Sequence, residues 1–191
     1  MFQVRIHGRG GQGVVTAAEL LSVAAFLEGR HAQAFPTFGS ERTGAPVVAF
    51  CRISEAPIRS REPIVEPDAL IVQDPTLLHQ VDLFGGVGPS GVVVVNTARR
   101  LSDLGLNELA ERFGRVVTVP ASELAREHLG RPLPNAALLG GFAALTGVVA
   151  LESVQTAVRR RFPGAVGERN AAAAAAAFAL VDAGTREVAR A

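Results

Sequence analysis

The chain has no lysine, no tryptophan and no tyrosine, and only one cysteine in 191 residues. Each absence removes a class of chemistry. Without lysine there is no P-loop NTPase, whose phosphate motif requires one, and no Schiff-base enzyme. Cys51 alone forms no internal disulfide and cannot supply the thiolates of an iron–sulfur cluster or a cysteine-rich metal site. The histidines, at positions 7, 31, 79 and 128, lack metal-ligand spacing, so no metal site is expected. Nineteen arginines against 18 acidic residues leave a net charge of +1, which argues against a nucleic-acid partner. Long apolar runs are also missing. The stretch 136–151 falls short of the ~18 residues a membrane span needs, and 171–181 is mostly alanine. Arg5 interrupts the apolar residues at the N-terminus, which is unlike a secretory signal. A soluble, cytoplasmic protein is expected.

What is present suits a folded domain. Hydrophobic residues make up 48% of the chain, enough for a sizeable core, and residues 1–191 read as one domain without a linker. Residues 2–7 alternate apolar and polar side chains and read as a first strand, followed by a turn over 8–13 and a helix over 14–27. Extended segments are expected at 32–35 and 47–53. The continuous apolar runs 69–72, 91–96 and 116–119 suit central parallel strands covered on both faces. Helices are expected at 76–81, 107–113 and 122–129, with Ser122 as the N-cap of the last. The final third is helical, over 136–149, 151–162 and 169–188. This order predicts an α/β fold: a three-layer αβα sandwich with a mostly parallel sheet, a Rossmann-like start and a helical C-terminal third. The small side chains of 171–177 allow close approach to another helix or a subunit.

Gly8-Arg9-Gly10-Gly11-Gln12-Gly13 lies between the first strand and helix and fits G-x-G-x-x-G. Glycines there let main-chain N–H groups and a helix N-terminus surround a phosphate. A dinucleotide site also needs an acidic residue at the end of the second strand. That segment ends in Pro36, and Glu28 precedes it, so the nicotinamide reading is weakened. A second loop, 38–47, is shaped by glycine and proline and places Ser40, Glu41 and Arg42 together. An arginine there can pair with phosphate or carboxylate. His7 beside the turn reads first as a capped strand-end residue and second as a ligand contact, Cys51 as a buried small hydrophobe, and Asp74 equally as a helix N-cap or a residue of the sheet's ligand-binding edge.

Residues 7–18 and 32–47, followed by Glu66-Pro67-Asp68, Asp74 to Leu78, Gly130-Arg131-Pro132, Asn135 to Gly140 and Arg161 to Gly164, resemble the gamma subunit of the 2-oxoacid:ferredoxin oxidoreductases. The resemblance is to the pyruvate/2-ketoisovalerate (pyruvate synthase) branch and covers nearly the whole chain in order. It implies a part in the oxidative decarboxylation of a 2-oxoacid, of pyruvate, 2-ketoisovalerate or aryl-glyoxylate type, to an acyl-coenzyme A. In such complexes thiamine diphosphate, with its magnesium, sits between alpha and beta subunits. The [4Fe–4S] clusters lie largely on a ferredoxin-like delta subunit, and ferredoxin or another acceptor takes the electrons. The gamma subunit resembles the coenzyme A-receiving part of the fused enzymes. Gly8, Arg9, Gly10, Gly11, Gln12 and Gly13 are then expected to face coenzyme A phosphates, with Ser40, Glu41 and Arg42 as the second wall and Asn135 as a further contact. No residue of this chain is expected to act as acid, base or nucleophile. Two other readings remain: a stand-alone NAD(P)- or FAD-type dinucleotide module, and a purely structural subunit.

Overall fold

A computed structural model of the chain describes residues 1–37 and 44–188. Ser40, Glu41 and Arg42 lie outside the described residues. One six-stranded sheet organises the rest, in the order β2-β3-β1-β4-β5-β6. Its strands are β1 (Phe2–Arg9), β2 (His31–Pro36), β3 (Pro46–Ser54), β4 (Ala69–Val72), β5 (Val92–Asn96) and β6 (Arg115–Val119). β1, β4, β5 and β6 pair in parallel, whereas β3 runs antiparallel to both β1 and β2. Only β3 therefore opposes the common direction, and the sheet is mostly parallel, as the apolar runs indicated. β4 and β5 are buried along their whole length, which explains their lack of alternation.

The two faces are unequally covered. Val4, Ile6, Ala69, Ile71, Val92 and Val94 face α1 (Val14–Leu27), α3 (Ala121–Leu129), α4 (Asn135–Thr146), α5 (Leu151–Arg161) and α6 (Ala165–Val188). Leu70, Val72, Val93 and Val95 face a thinner layer that includes α2 (Asn107–Arg112) and the 3-10 turn Pro75–His79. α4 is buried over nearly its whole length. That burial accounts for the apolar run 136–151, since a helix hydrophobic all round belongs in a core. Among the described residues no helix is long and apolar enough to cross a membrane. The alanine-rich stretch docks within the chain: Ala171, Ala173, Ala174 and Ala177 are fully buried, and a Cβ at Gly140 of α4 would lie 2.0 Å from the Ala174 carbonyl oxygen.

Three sequence expectations change locally. Gly8 and Arg9 belong to β1, paired with Val47 and Pro46, so the turn proper begins at Gly10. The helix expected at 76–81 is a 3-10 turn, with Asp74 as its N-cap accepting from the Thr76 N–H at 2.9 Å. Ser122 does not cap α3, because Pro120 holds that position. The Ser122 N–H instead donates to Asn96 Oδ1 at 3.1 Å, and its hydroxyl accepts from Asn96 Nδ2 at 2.8 Å. A side chain at the end of β5 thus satisfies an amide that the helix leaves free.

Candidate functional site

The glycine turn sits where chain direction diverges. From β1 the chain crosses to the face carrying α1, and from β4 it crosses to the opposite face, where Leu77 is buried. The carboxyl ends of two such neighbouring strands form the crevice in which open α/β sheets place ligands. Gly11 (φ 91) and Gly13 (φ 73) take left-handed backbone conformations that side chains with a Cβ rarely adopt. At Gly13 a Cβ would also lie 2.5 Å from Asn135 Nδ2. The turn is pinned to the start of β3 by Gly10 N–H to Ala45 O (2.9 Å) and Gly44 N–H to Gly10 O (3.2 Å).

The N–H groups of Gly11, Gly13, Val14 and Val15 have no acceptor among the described residues. All four residues line a cleft of about 300 Å³, together with Arg9, Gly10 and Val47. Unpaired amides at a helix start, with the partial positive charge of its dipole, attract an anion. No acidic side chain stands in the first turn of α1 to oppose this.

Three residues expected to face a ligand, Gly8, Arg9 and Gln12, make contacts that shape the turn. Gly8 is buried in β1, and a Cβ there would lie 2.6 Å from Val14 Cγ2 and 3.2 Å from Gln73 Cβ. The missing side chain allows β1 and α1 to pack closely at this point. Arg9 is engaged through all three guanidinium nitrogens. Nε lies 3.2 Å from Asp74 Oδ2, Nη1 donates to Gly44 O at 3.0 Å, and Nη2 donates to Thr76 Oγ1 at 2.8 Å and Gln80 Oε1 at 2.7 Å. Gln12 completes the brace: its Oε1 accepts from the Arg9 N–H at 2.8 Å and its Nε2 donates to Asp74 Oδ2 at 2.7 Å.

Asp74 is the hub of this network. Burial alone would raise its pKa, but hydrogen bonds from Thr76 and Gln12 and the charge of Arg9 outweigh that effect and hold it below its ordinary value. The sequence identified Asp74 as a cap but not as the anchor of Arg9 and Gln12. The three meet across more than 60 positions, and the only signal was a carboxylate at the end of a strand neighbouring β1. Asn135 Nδ2 approaches the Gly13 carbonyl at 3.5 Å, which brings the start of α4 to the turn. His7 is buried, and desolvation followed by the charge of Arg5 pushes its pKa down to about 4. It is neutral, and its Nε2 has no partner among the described residues. Cys51 is buried, with its thiol pushed up to about 12. Glu28 accepts from Arg30 Nη2 at 2.7 Å and from the Ala150 N–H at 2.7 Å, so it is committed to the far end of α1.

A mostly parallel sheet with a glycine turn at its direction change defines an α/β subunit whose cleft lies at the start of α1. Comparison with known proteins gives the family. A profile described as pyruvate ferredoxin/flavodoxin oxidoreductase matches residues 3–180, and the chain belongs to that family. It is 51% identical over 178 residues to the pyruvate/ketoisovalerate oxidoreductases common subunit gamma of Thermococcus kodakarensis, covering 93% of this chain and 96% of the relative. It is 53% identical over 159 residues to the pyruvate synthase subunit PorC of Methanosarcina barkeri, covering 83% and 85%. Among solved structures, the pyruvate oxidoreductase subunit PORC of Thermotoga maritima superposes with a TM-score of 0.78 at 32% identity, over 93% of this chain and 95% of that one. The fold also matches, at TM-score 0.75 and 18% identity, part of 2-oxoglutarate:ferredoxin oxidoreductase from Magnetococcus marinus, covering 95% of this chain and 31% of that one. The chain is thus of the gamma type, a subunit of an oxidoreductase complex that works with partner subunits.

Proposed function

We propose that this chain is a non-catalytic, coenzyme A-holding gamma subunit of a cytoplasmic 2-oxoacid:ferredoxin oxidoreductase. Its partners are alpha and beta subunits bearing thiamine diphosphate and magnesium, and a delta subunit bearing [4Fe–4S] clusters. Coenzyme A, when bound, supplies the thiol that takes the acyl group of a pyruvate-, ketoisovalerate- or aryl-glyoxylate-type substrate. This chain holds the coenzyme's diphosphate on the N–H groups of Gly11, Gly13, Val14 and Val15. The observation that carries the reading is this row of amides, without acceptors among the described residues, opening on the cleft beside α1. The solved 2-oxoglutarate enzyme of similar fold is described with coenzyme A bound. The groups around the turn fit a holding role: His7 is neutral and buried, and Asp74 is bound on both oxygens. Arg9 and Gln12 keep the turn's shape.

Calorimetric titration of the full chain, alone and assembled with its partner subunits, tests this. Gly11→Asp places a carboxylate beside the amides, and coenzyme A affinity should fall at least about ten-fold. Gly11→Asn tolerates the same positive φ without the charge and should bind within about three-fold of the parent. Unchanged affinity in a folded Gly11→Asp protein would reject the reading.

A further inference from the structure

A second cleft, of about 320 Å³, opens between the α3–α4 link and the start of α6. We propose that it takes the 3′-phosphorylated adenosine end of the ligand whose diphosphate rests on the glycine turn. The inference builds on the coenzyme A reading and adds a recognition site to it. Arg131 and Arg169 line the cleft, and neither pairs with a carboxylate among the described residues. The nearby Arg159, by contrast, is held by Glu168 at 2.9 Å. Two amide side chains at the base are more than nine-tenths buried, Asn135 at 8% exposure and Asn170 at 5%. Asn170 Nδ2 donates to Val166 O at 2.9 Å, which fixes the group and leaves its Oδ1 without a donor among the described residues. The apolar side chains are unusually open: Leu133 is 38% exposed and Val166 53%.

Unpaired guanidinium groups, fixed amides and an apolar wall suit a phosphate beside a purine ring. A neutral pantetheine arm would leave both cations unanswered. Continuity comes from Asn135, which lines this cleft and reaches the Gly13 carbonyl at 3.5 Å, so the two clefts share one contact.

The probe is adenosine 3′-phosphate, titrated into the full chain with adenosine as control. Binding of the phosphate should weaken about ten-fold in the double variant R131Q/R169Q, with adenosine nearly unaffected. G11D should leave adenosine 3′-phosphate binding unchanged. Coenzyme A should bind the parent about ten-fold more tightly than 3′-dephospho-coenzyme A, and R131Q/R169Q should abolish that preference. Both arginines are exposed, and an unchanged circular dichroism spectrum checks that the double variant is folded. Failure of the parent to bind adenosine 3′-phosphate, or equal binding by the double variant, overturns the inference. If coenzyme A binding then still depends on Gly11, the turn reading stands alone; if it ignores Gly11 while the arginines matter, the turn reading falls and the cleft stands.

Discussion

Arg9 Nε stands 3.2 Å from Asp74 Oδ2, joining the end of β1 to the loop that leaves β4. Both side chains are largely sequestered, at 22% and 11% exposure, so solvent screens the pair less than at a surface. With Gln12 and Thr76 bonded to the same carboxylate, the network fixes the turn whose amides face outward. Preorganised donors of this kind bind an anion without first having to be ordered.

Removing the carboxylate charge while keeping its shape tests that brace. Asp74→Asn should lower unfolding stability by about 1–3 kcal/mol, because buried partners lose a charged acceptor. A double-mutant cycle with Arg9→Met should give a coupling of about 1 kcal/mol in urea denaturation. Additive effects would show that the pair is not a unit.

Acid should act in two stages. His7 has a folded-state pKa of about 4, below its ordinary value near 6.5, so the unfolded chain binds a proton that the folded chain refuses. Stability therefore falls as pH drops from about 6.5 towards 4, by about 2 kcal/mol between pH 7 and pH 5. Asp74 is held below its ordinary value, so its contribution is present above that value and is lost below about pH 4, as pH falls through the folded pKa. Urea midpoints for the parent and His7→Phe at pH 7 and pH 5 should differ in slope, the variant lacking the first stage. Equal pH dependence in the two would show that His7 is not the buried proton acceptor described.

The contact between α4 and α6 gives a sharp steric prediction. Gly140→Ala forces a methyl group onto the Ala174 carbonyl and should cost about 1–3 kcal/mol or more. Gly184→Ala, in α6 with nothing within 4 Å of the added Cβ, should be neutral or stabilising by up to about 1 kcal/mol. Thermal unfolding of the two variants decides whether close helix packing is what Gly140 provides.

Regular elements were legible because their signals are local. The helix 14–27 and the runs forming β4 to β6 follow directly from periodicity and continuous apolar character. What could not be read was pairing across the chain. β2 sits at the sheet edge and β3 returns antiparallel beside β1, so the Rossmann-like opening departs from a Rossmann order after α1. The local motif marked Gly8 but not the contacts with Val14 and Gln73 that exclude a side chain there. The same motif pointed Arg9 at a phosphate and gave no sign of its partners, which lie more than 30 residues away in Gly44, Asp74, Thr76 and Gln80.

A crystal structure of this chain with coenzyme A, alone or within its complex, tests the central claim most directly. The account predicts diphosphate oxygens about 3 Å from the N–H groups of residues 11–15. An ordered coenzyme whose diphosphate rests elsewhere, with those amides facing only water, would contradict it.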